Sequence, residues 1–350
     1  MIAVILGTRP EIIKMSPVIR ALGKKDFFIL HTGQHYSYRM DRIFFRELSL
    51  PSPKYNLGVG SGTHGSQTGR MLQGIEDVLL DEKPDTVLVQ GDTNTVLAGA
   101  LAATKLRINT GHVEAGLRSY DMSMPEEKNR IVADHISNVL FAPTRDAVKT
   151  LKKENVRGKV FLTGNTVVDA VKQHLSLVDS VNGEDYLLVT VHREENTDDP
   201  SRLAGILKGL REVSRRFDKR IIYPMHPRTG KTIERHGLQK LLHSINGLEV
   251  TEPVSYLPFL SLQAGASLVL TDSGGVQEEA CILGVPCVTL RENTERPETV
   301  EVHANVLAGT DPKRILHATG KMLSTRRKWR NPFGDGKAGH RIAKIIKSYS

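Results

Sequence analysis

The chain has 350 residues, enough for two domains of ordinary size, and 39% hydrophobic with 25% charged residues describes a packed globular protein rather than a disordered one. No apolar run approaches the ~18 residues of a membrane helix, and the apolar start at Met1–Gly7 is short and has no basic leader, so the expected location is the cytoplasm. The net charge of +9 favours anionic ligands, but the basic residues are scattered and form no nucleic-acid motif, and the spacing of Cys281 and Cys287 suits neither zinc nor redox chemistry.

Taken in chain order, short β-branched runs alternate with helical patterns. Ile2–Leu6 reads as a strand, Pro17–Leu22 as helix and Phe27–His31 as the next strand. Thr86–Val89 is a buried strand followed by a small-residue helix, Thr95–Lys105; Val139–Ala142 and Val160–Leu162 continue the series. The pattern then restarts. Tyr186–Val191 reads as a strand, Arg202–Phe217 as helix, and Arg220–Tyr223, Leu268–Thr271, Pro286–Leu290 and Val306–Ala308 as strands. The polar stretch from Ser180 to Asp185 reads as a linker. Repeated βαβ units predict parallel sheets, and two doubly wound α/β domains facing each other across a cleft form the economical arrangement. Ligands of such sheets sit beyond the carboxyl ends of the strands, so the loops there are the ones to inspect.

The first, Gly7-Thr8-Arg9-Pro10-Glu11, lacks the G-x-G-x-x-G of a dinucleotide fold, which argues against nicotinamide. Arg9 with Lys14 suggests an anion site; a local pair between Arg9 and Glu11 is the plain alternative. Asp92, in Gln90-Gly91-Asp92-Thr93, either caps the next helix or does acid–base work; the neighbouring threonines can supply the cap without it. Glu114 and Arg118, in the segment His112–Arg118, read in isolation as an ion pair, and Pro125-Glu126-Glu127 as an ordinary helix start. His192 opens a loop after the first strand of the second half. The run Asp272-Ser273-Gly274-Gly275 is the best phosphate cradle in the chain, with Arg296 as a further cation. Glu278 and Glu279 suit the first turn of the following helix, although an acid there could also hold ribose hydroxyls. Gly230-Lys231-Thr232 lacks the earlier glycine of a Walker loop, Gly58–Gly62 reads as a flexible loop, and the 13 histidines show no metal-binding spacing.

Together these loops, with Thr32-Gly33-Gln34-His35, Thr163-Gly164-Asn165, His192-Arg193-Glu194-Glu195-Asn196 and Glu295-Arg296-Pro297-Glu298, resemble the non-hydrolysing UDP-N-acetylglucosamine 2-epimerases over nearly the whole length. The resemblance implies a GT-B fold, with residues 1–168 plus 335–350 as one Rossmann-like domain and 169–334 as a UDP-binding second. It implies a homodimer that uses neither metal nor cofactor. Asp92, Glu114, Glu126 and His192 match the family's catalytic groups. Arg9, Lys14, Phe259, Ser273, Gly274, Gly275, Glu279 and Arg296 match its nucleotide-binding positions. Gln34, Gln67 and Arg70 resemble the site at which some members bind a second UDP-N-acetylglucosamine as activator; they could equally hold the loop around 58–66. The implied reaction eliminates UDP to give 2-acetamidoglucal and adds it back after protonation from the other face. A hydrolysing relative, a GT-B glycosyltransferase and a non-enzymatic UDP-sugar sensor are the alternatives.

Overall fold

Five consecutive buried residues, Ile2–Leu6, form β1, as expected of a strand covered on both faces by helices. In the computed structural model, which describes residues 1–23, 27–34, 44–176 and 185–349, β1 pairs in parallel with β2 (Phe27–His31) and with β4 (Thr86–Gln90). β3 (Tyr55–Asn56) flanks β2, while β5 (Asn109–Val113), β6 (Val139–Ala142) and β7 (Lys159–Leu162) extend the other side. The order is 3-2-1-4-5-6-7. A second parallel sheet consists of β8 (Tyr186–Thr190), β9 (Arg220–Pro224), β10 (Leu248–Thr251), β11 (Leu268–Thr271), β12 (Cys287–Thr289) and β13 (Asn305–Leu307), in the order 10-9-8-11-12-13. His35 and residues 180–184 of the expected linker lie outside the described residues.

The chain forms two compact units, Met1–Lys172 with Phe333–Ser350 and Gln173–Pro332. In the first, Ile5, Leu30, Val87 and Val89 pack against Met71, Ile75 and the small residues Ala98 and Ala102. In the second, Val189, Leu270 and Val288 pack against Leu203, Leu207, Leu210 and Ile315. Each fully buried aliphatic side chain contributes about 1.5–3 kcal/mol. No helix among the described residues is long and apolar enough to cross a membrane. Cys281 and Cys287 are buried thiols.

Two helices differ from the sequence expectation. The first spans Arg9–Leu22 rather than beginning at Pro17, because Pro10 and the Glu11 side chain start it early. Pro17 lies inside it, and the Ile13 carbonyl that its missing N–H would leave unbonded accepts from Ser16 Oγ at 2.8 Å. The sequence gives no clear sign of a 19-residue helix, His64–Glu82: Gly65, Gly69 and Gly74 dilute the helical signal, yet Met71, Ile75, Val78 and Leu79 form its buried stripe. The segment 58–62 is also better tied than expected, since the Val59 and Gly60 amides donate to Thr32 and Gly33.

The final helix, Ala338–Ile346, belongs to the first unit and packs on Arg9–Leu22. Its amides at Ala338 and Gly339 donate to Asp169 at 3.1 and 2.9 Å. Gly339 sits so close to the first helix that a Cβ there would lie 2.7 Å from the Pro17 carbonyl carbon.

Candidate active site

In each sheet the strand order reverses once, between β1 and β4 and between β8 and β11. Ligands of open parallel sheets bind beyond the strand ends at such switch points. The residues after β1 and β4 are the Gly7–Glu11 and Gly91–Thr93 loops; those after β8 and β11 are the His192 and Asp272–Gly275 loops.

In the first unit, Gly7 has no room for a side chain, since a Cβ would lie 2.0 Å from Thr95 Oγ1 and 2.3 Å from Thr32 Oγ1. The loop then turns into a helix that Glu11 secures: its buried carboxyl accepts from the Gly7 and Thr8 amides at 2.5 and 3.0 Å and from the Thr93 hydroxyl. Burial pushes this carboxyl up to about 7, against the lowering effect of those donors. Glu11 thus joins the loop after β1 to the loop of Asp92. The Arg9 guanidinium lies 5.0 Å from the Phe44 ring centroid.

Asp92 is not a helix cap; Thr93 fills that role by accepting from the Val96 amide. The Asp92 carboxylate instead pairs with Arg130, and its backbone carbonyl accepts from Asn129 Nδ2 at 3.0 Å. Both partners come from the helix Pro125–Ile136, and Glu126, half-buried one turn earlier, shares their face of that helix. Glu127, its neighbour, is buried and structural. It accepts from Ser119 and Tyr120 amides at 2.9 Å and pairs with Arg130 at 2.8 Å.

Glu114 follows β5 with a φ of +70°, the left-handed region that a non-glycine residue occupies only under local constraint. Its two carboxylate oxygens lie 2.7 and 2.8 Å from Lys14 Nζ, and Gln90 Nε2 donates to one of them. The expected pair with Arg118 does not form. Arg118 binds Asp134 at 2.7 Å and Glu154 at 2.6 Å, because the turn at Gly116 carries it away from Glu114. Asp92 and Glu114 therefore end adjacent strands, and each is held by a cation from a separate helix.

Gln67 and Arg70 donate to backbone carbonyls, while the Gln34 side chain bonds Thr95. Gln67 Nε2 donates to the Gln34 and Gly60 carbonyls at 2.9 and 2.8 Å, Gln34 Oε1 accepts from Thr95 Oγ1 at 2.8 Å, and Arg70 reaches the Ser61 carbonyl at 3.4 Å. Gln67 and Arg70 thereby hold the 58–62 segment.

In the second unit, Asp272 is fully buried and fixes the loop after β8. It accepts from the His192 and Arg193 amides at 3.1 and 3.0 Å and from Asn196 Nδ2 at 3.1 Å. The His192 ring stays 45% exposed, with Nε2 3.9 Å from Asp272 Oδ1, so it can meet a ligand. Ser273 begins the helix Gly274–Leu283 without capping it through its side chain. The first-turn N–H groups there have no acceptor within the helix, which suits an anion. At Gly275 a Cβ would meet nothing nearer than Ser273 Oγ at 4.0 Å, so packing does not demand this glycine. Its absence of a side chain leaves the helix start open.

Glu278 and Glu279 lie beyond the first turn of this helix, so the macrodipole does not account for them. Glu278 pairs with Arg296 Nε at 2.7 Å, and Glu279 accepts from Gln263 Nε2 at 2.6 Å. Arg296 is thus part of a salt bridge as well as a candidate anion ligand. Arg291 forks onto both oxygens of Glu295 at 2.9 and 3.0 Å; burial would raise that carboxyl, but the fork outweighs it and holds the group down to about 2. Phe259 is half-buried against the core cluster that contains Tyr186, Leu188 and Val269. The roles of Gln90, Arg130 and Asp134 carry no signal of their own in the sequence, because Glu114, Asp92 and His112, which they hold, lie more than 20 residues away; Asp272 stands in the cradle motif, but its hold on the His192 loop is likewise hidden by distance.

A family model described as UDP-N-acetylglucosamine 2-epimerase matches residues 19–347. The UDP-N-acetylglucosamine 2-epimerase of Methanococcus maripaludis is 56% identical, over 99% of this chain and 98% of its own length. The UDP-2,3-diacetamido-2,3-dideoxy-D-glucuronate 2-epimerase of Pseudomonas aeruginosa is 44% identical, over 99% of both chains. The crystal structure of Methanocaldococcus jannaschii UDP-GlcNAc 2-epimerase in complex with UDP-GlcNAc and UDP superposes with a TM-score of 0.92 at 55% identity, covering 99% of each chain. The fold shared with it is of the GT-B class, built from two Rossmann-like α/β units.

Proposed function

Because the chain belongs to the UDP-N-acetylglucosamine 2-epimerase family, we propose that it interconverts UDP-N-acetylglucosamine and UDP-N-acetylmannosamine and returns UDP to the sugar rather than releasing it to water. The observation that carries this reading is the pair of carboxylates at adjacent strand ends, Asp92 on Arg130 and Glu114 on Lys14. UDP-N-acetylglucosamine stands ahead of the diacetamido-glucuronate substrate on the 56% against 44% identity of the relatives that bear those names.

The hydrogen at C2 is not next to a carbonyl, so its direct removal is very difficult. In the proposed route a carboxylate takes the C2 proton while the C1–O bond breaks, and the electron pair leaves on the β-phosphate oxygen. The products are 2-acetamidoglucal, with a C1–C2 double bond, and UDP. A proton delivered to the other face of C2 and attack of the same phosphate oxygen on C1 complete the inversion. Asp92 and either Glu114 or Glu126 handle the protons. The open helix start at Ser273–Gly275, with Arg296, holds the diphosphate as charge builds on it, and His192 helps orient it. Arg9, Lys14, Phe259 and Glu279 complete the nucleotide contacts.

Incubation with UDP-N-acetylglucosamine in deuterated water, followed by NMR, tests this. The expected product is UDP-N-acetylmannosamine carrying deuterium at C2. Accumulation of free N-acetylmannosamine with UDP would replace the proposal with hydrolysis, and an absence of C2 exchange would remove proton transfer altogether. Turnover confined to the diacetamido-glucuronate substrate would move the specificity.

A further inference from the structure

One buried cluster in the first unit is not used by the proposed chemistry yet touches both loops that carry it. His112 lies inside β5 and is fully buried. Its Nδ1 is 2.7 Å from Asp134 Oδ1, and its Nε2 is 2.7 Å from the Gly91 carbonyl oxygen. Neither a carboxylate nor a carbonyl can donate, so both ring nitrogens must. Asp134 is itself held as a carboxylate, since it also accepts from the Gly116 amide at 3.1 Å and Arg118 Nη1 at 2.7 Å.

Resting on the proposed epimerisation, we infer that His112 is a positioning residue for it: a permanently doubly protonated imidazole that locks the loop of Asp92 to the loop of Glu114. The Nε2 bond grips Gly91, the residue before Asp92, which needs its φ of +85° to make the turn. The Nδ1 bond grips Asp134, which in turn grips Gly116 and Arg118, just after Glu114. The ring and the carboxylate thus brace the two loops from beneath, beside the strand pairing of Gln90 with Val113 and the Gly91 amide's bond to the Val113 carbonyl. The charges in the cluster balance, with His112 and Arg118 against Asp134 and Glu154, and Lys14 neutralises Glu114 beside it. Burial alone would favour the neutral ring, but Asp134 and the Gly91 carbonyl outweigh it, and the group sits above the ordinary histidine range. A neutral ring would set two lone pairs against each other at one of these contacts.

The two contacts can be removed separately. The amide nitrogen of His112→Asn stands near Nδ1 and that of His112→Gln near Nε2. Each variant is expected to lower kcat roughly tenfold or more with KM within about twofold, as displacement of a catalytic group by a fraction of an ångström does. Nitrogen-15 NMR of histidine-labelled unsubstituted protein needs no variant to fold. Both His112 nitrogens should show the imidazolium shift from pH 6 to pH 9. A neutral-tautomer spectrum at pH 7, or an unchanged kcat in both variants, overturns the assignment. If the unsubstituted protein turns over no nucleotide sugar, the proposed reaction falls and the positioning role with it, while the protonation state is decided by the spectrum alone.

Discussion

Lys14 sets its ammonium against both carboxylate oxygens of Glu114, at 2.7 and 2.8 Å, across 100 residues of sequence. The two side chains are 13% and 5% exposed, so the pair is screened little by solvent. Removal of one partner of a buried pair is costlier than removal of both, because the remaining charge loses its compensation. Lys14→Met is therefore expected to destabilise the first unit by about 3 kcal/mol and to abolish most turnover. Adding Glu114→Gln should recover much of the stability and none of the activity. Urea unfolding with parallel rate measurements distinguishes the two; equal stabilities of the single and double variants would mean that Glu114 does not need its cation.

Gly275 separates folding from ligand binding. A methyl group fits there in the folded protein, with its nearest neighbour at 4.0 Å, and alanine suits a helix better than glycine by up to about 1 kcal/mol. Gly275→Ala should thus melt no lower than the unsubstituted protein, yet raise KM for UDP-N-acetylglucosamine about tenfold or more by obstructing the helix start. An unaltered KM would place the diphosphate elsewhere.

Glu11 makes stability depend on pH. Its carboxyl titrates at about 7 in the folded protein against 4.5 in the reference state. Between those values the folded form keeps a proton that the unfolded chain has released, so stability declines as pH rises through this window and stays lower above it. Glu11→Gln can keep the three hydrogen bonds, with its oxygen on the two amides and its NH2 on Thr93. It should gain on the unsubstituted protein by on the order of 3 kcal/mol between pH 4 and pH 8. Urea unfolding at the two pH values measures this; a pH-independent difference would rule out the raised carboxyl.

Gly339 tests the closure of the first unit. A Cβ there would meet the Pro17 backbone at 2.7 Å, and neither backbone can retreat cheaply. Gly339→Ala should cost about 1–3 kcal/mol, read as a lowered unfolding midpoint for the first unit. An unchanged midpoint would show that the two helices have slack between them.

The parallel sheets were legible because buried strands such as Ile2–Leu6, Val139–Ala142 and Leu268–Thr271 are uninterrupted apolar runs, and their ends coincide with the expected ones. Residues whose task is local to a loop were legible too: Glu114 directly follows β5, and Asp92 follows β4 after Gly91. What the sequence concealed was partnership at a distance. Arg118 is four residues from Glu114 but serves Asp134 and Glu154, while the cation on Glu114 comes from the first helix. Likewise Glu278 looked like a response to a helix dipole and is a partner of Arg296. The helix His64–Glu82 leaves a weak trace in the sequence because its glycines sit among the residues that define its period.

The path of the polypeptide, which leaves the first unit at Lys172 and rejoins it at Phe333, has a consequence for biogenesis. Emerging from a ribosome amino end first, the later-encoded unit has all of its strands before the earlier one has the helix that packs on Pro17. Maturation then runs against gene order, and the nascent amino-terminal half must remain incomplete, with an uncovered apolar flank, while about 160 further codons are read.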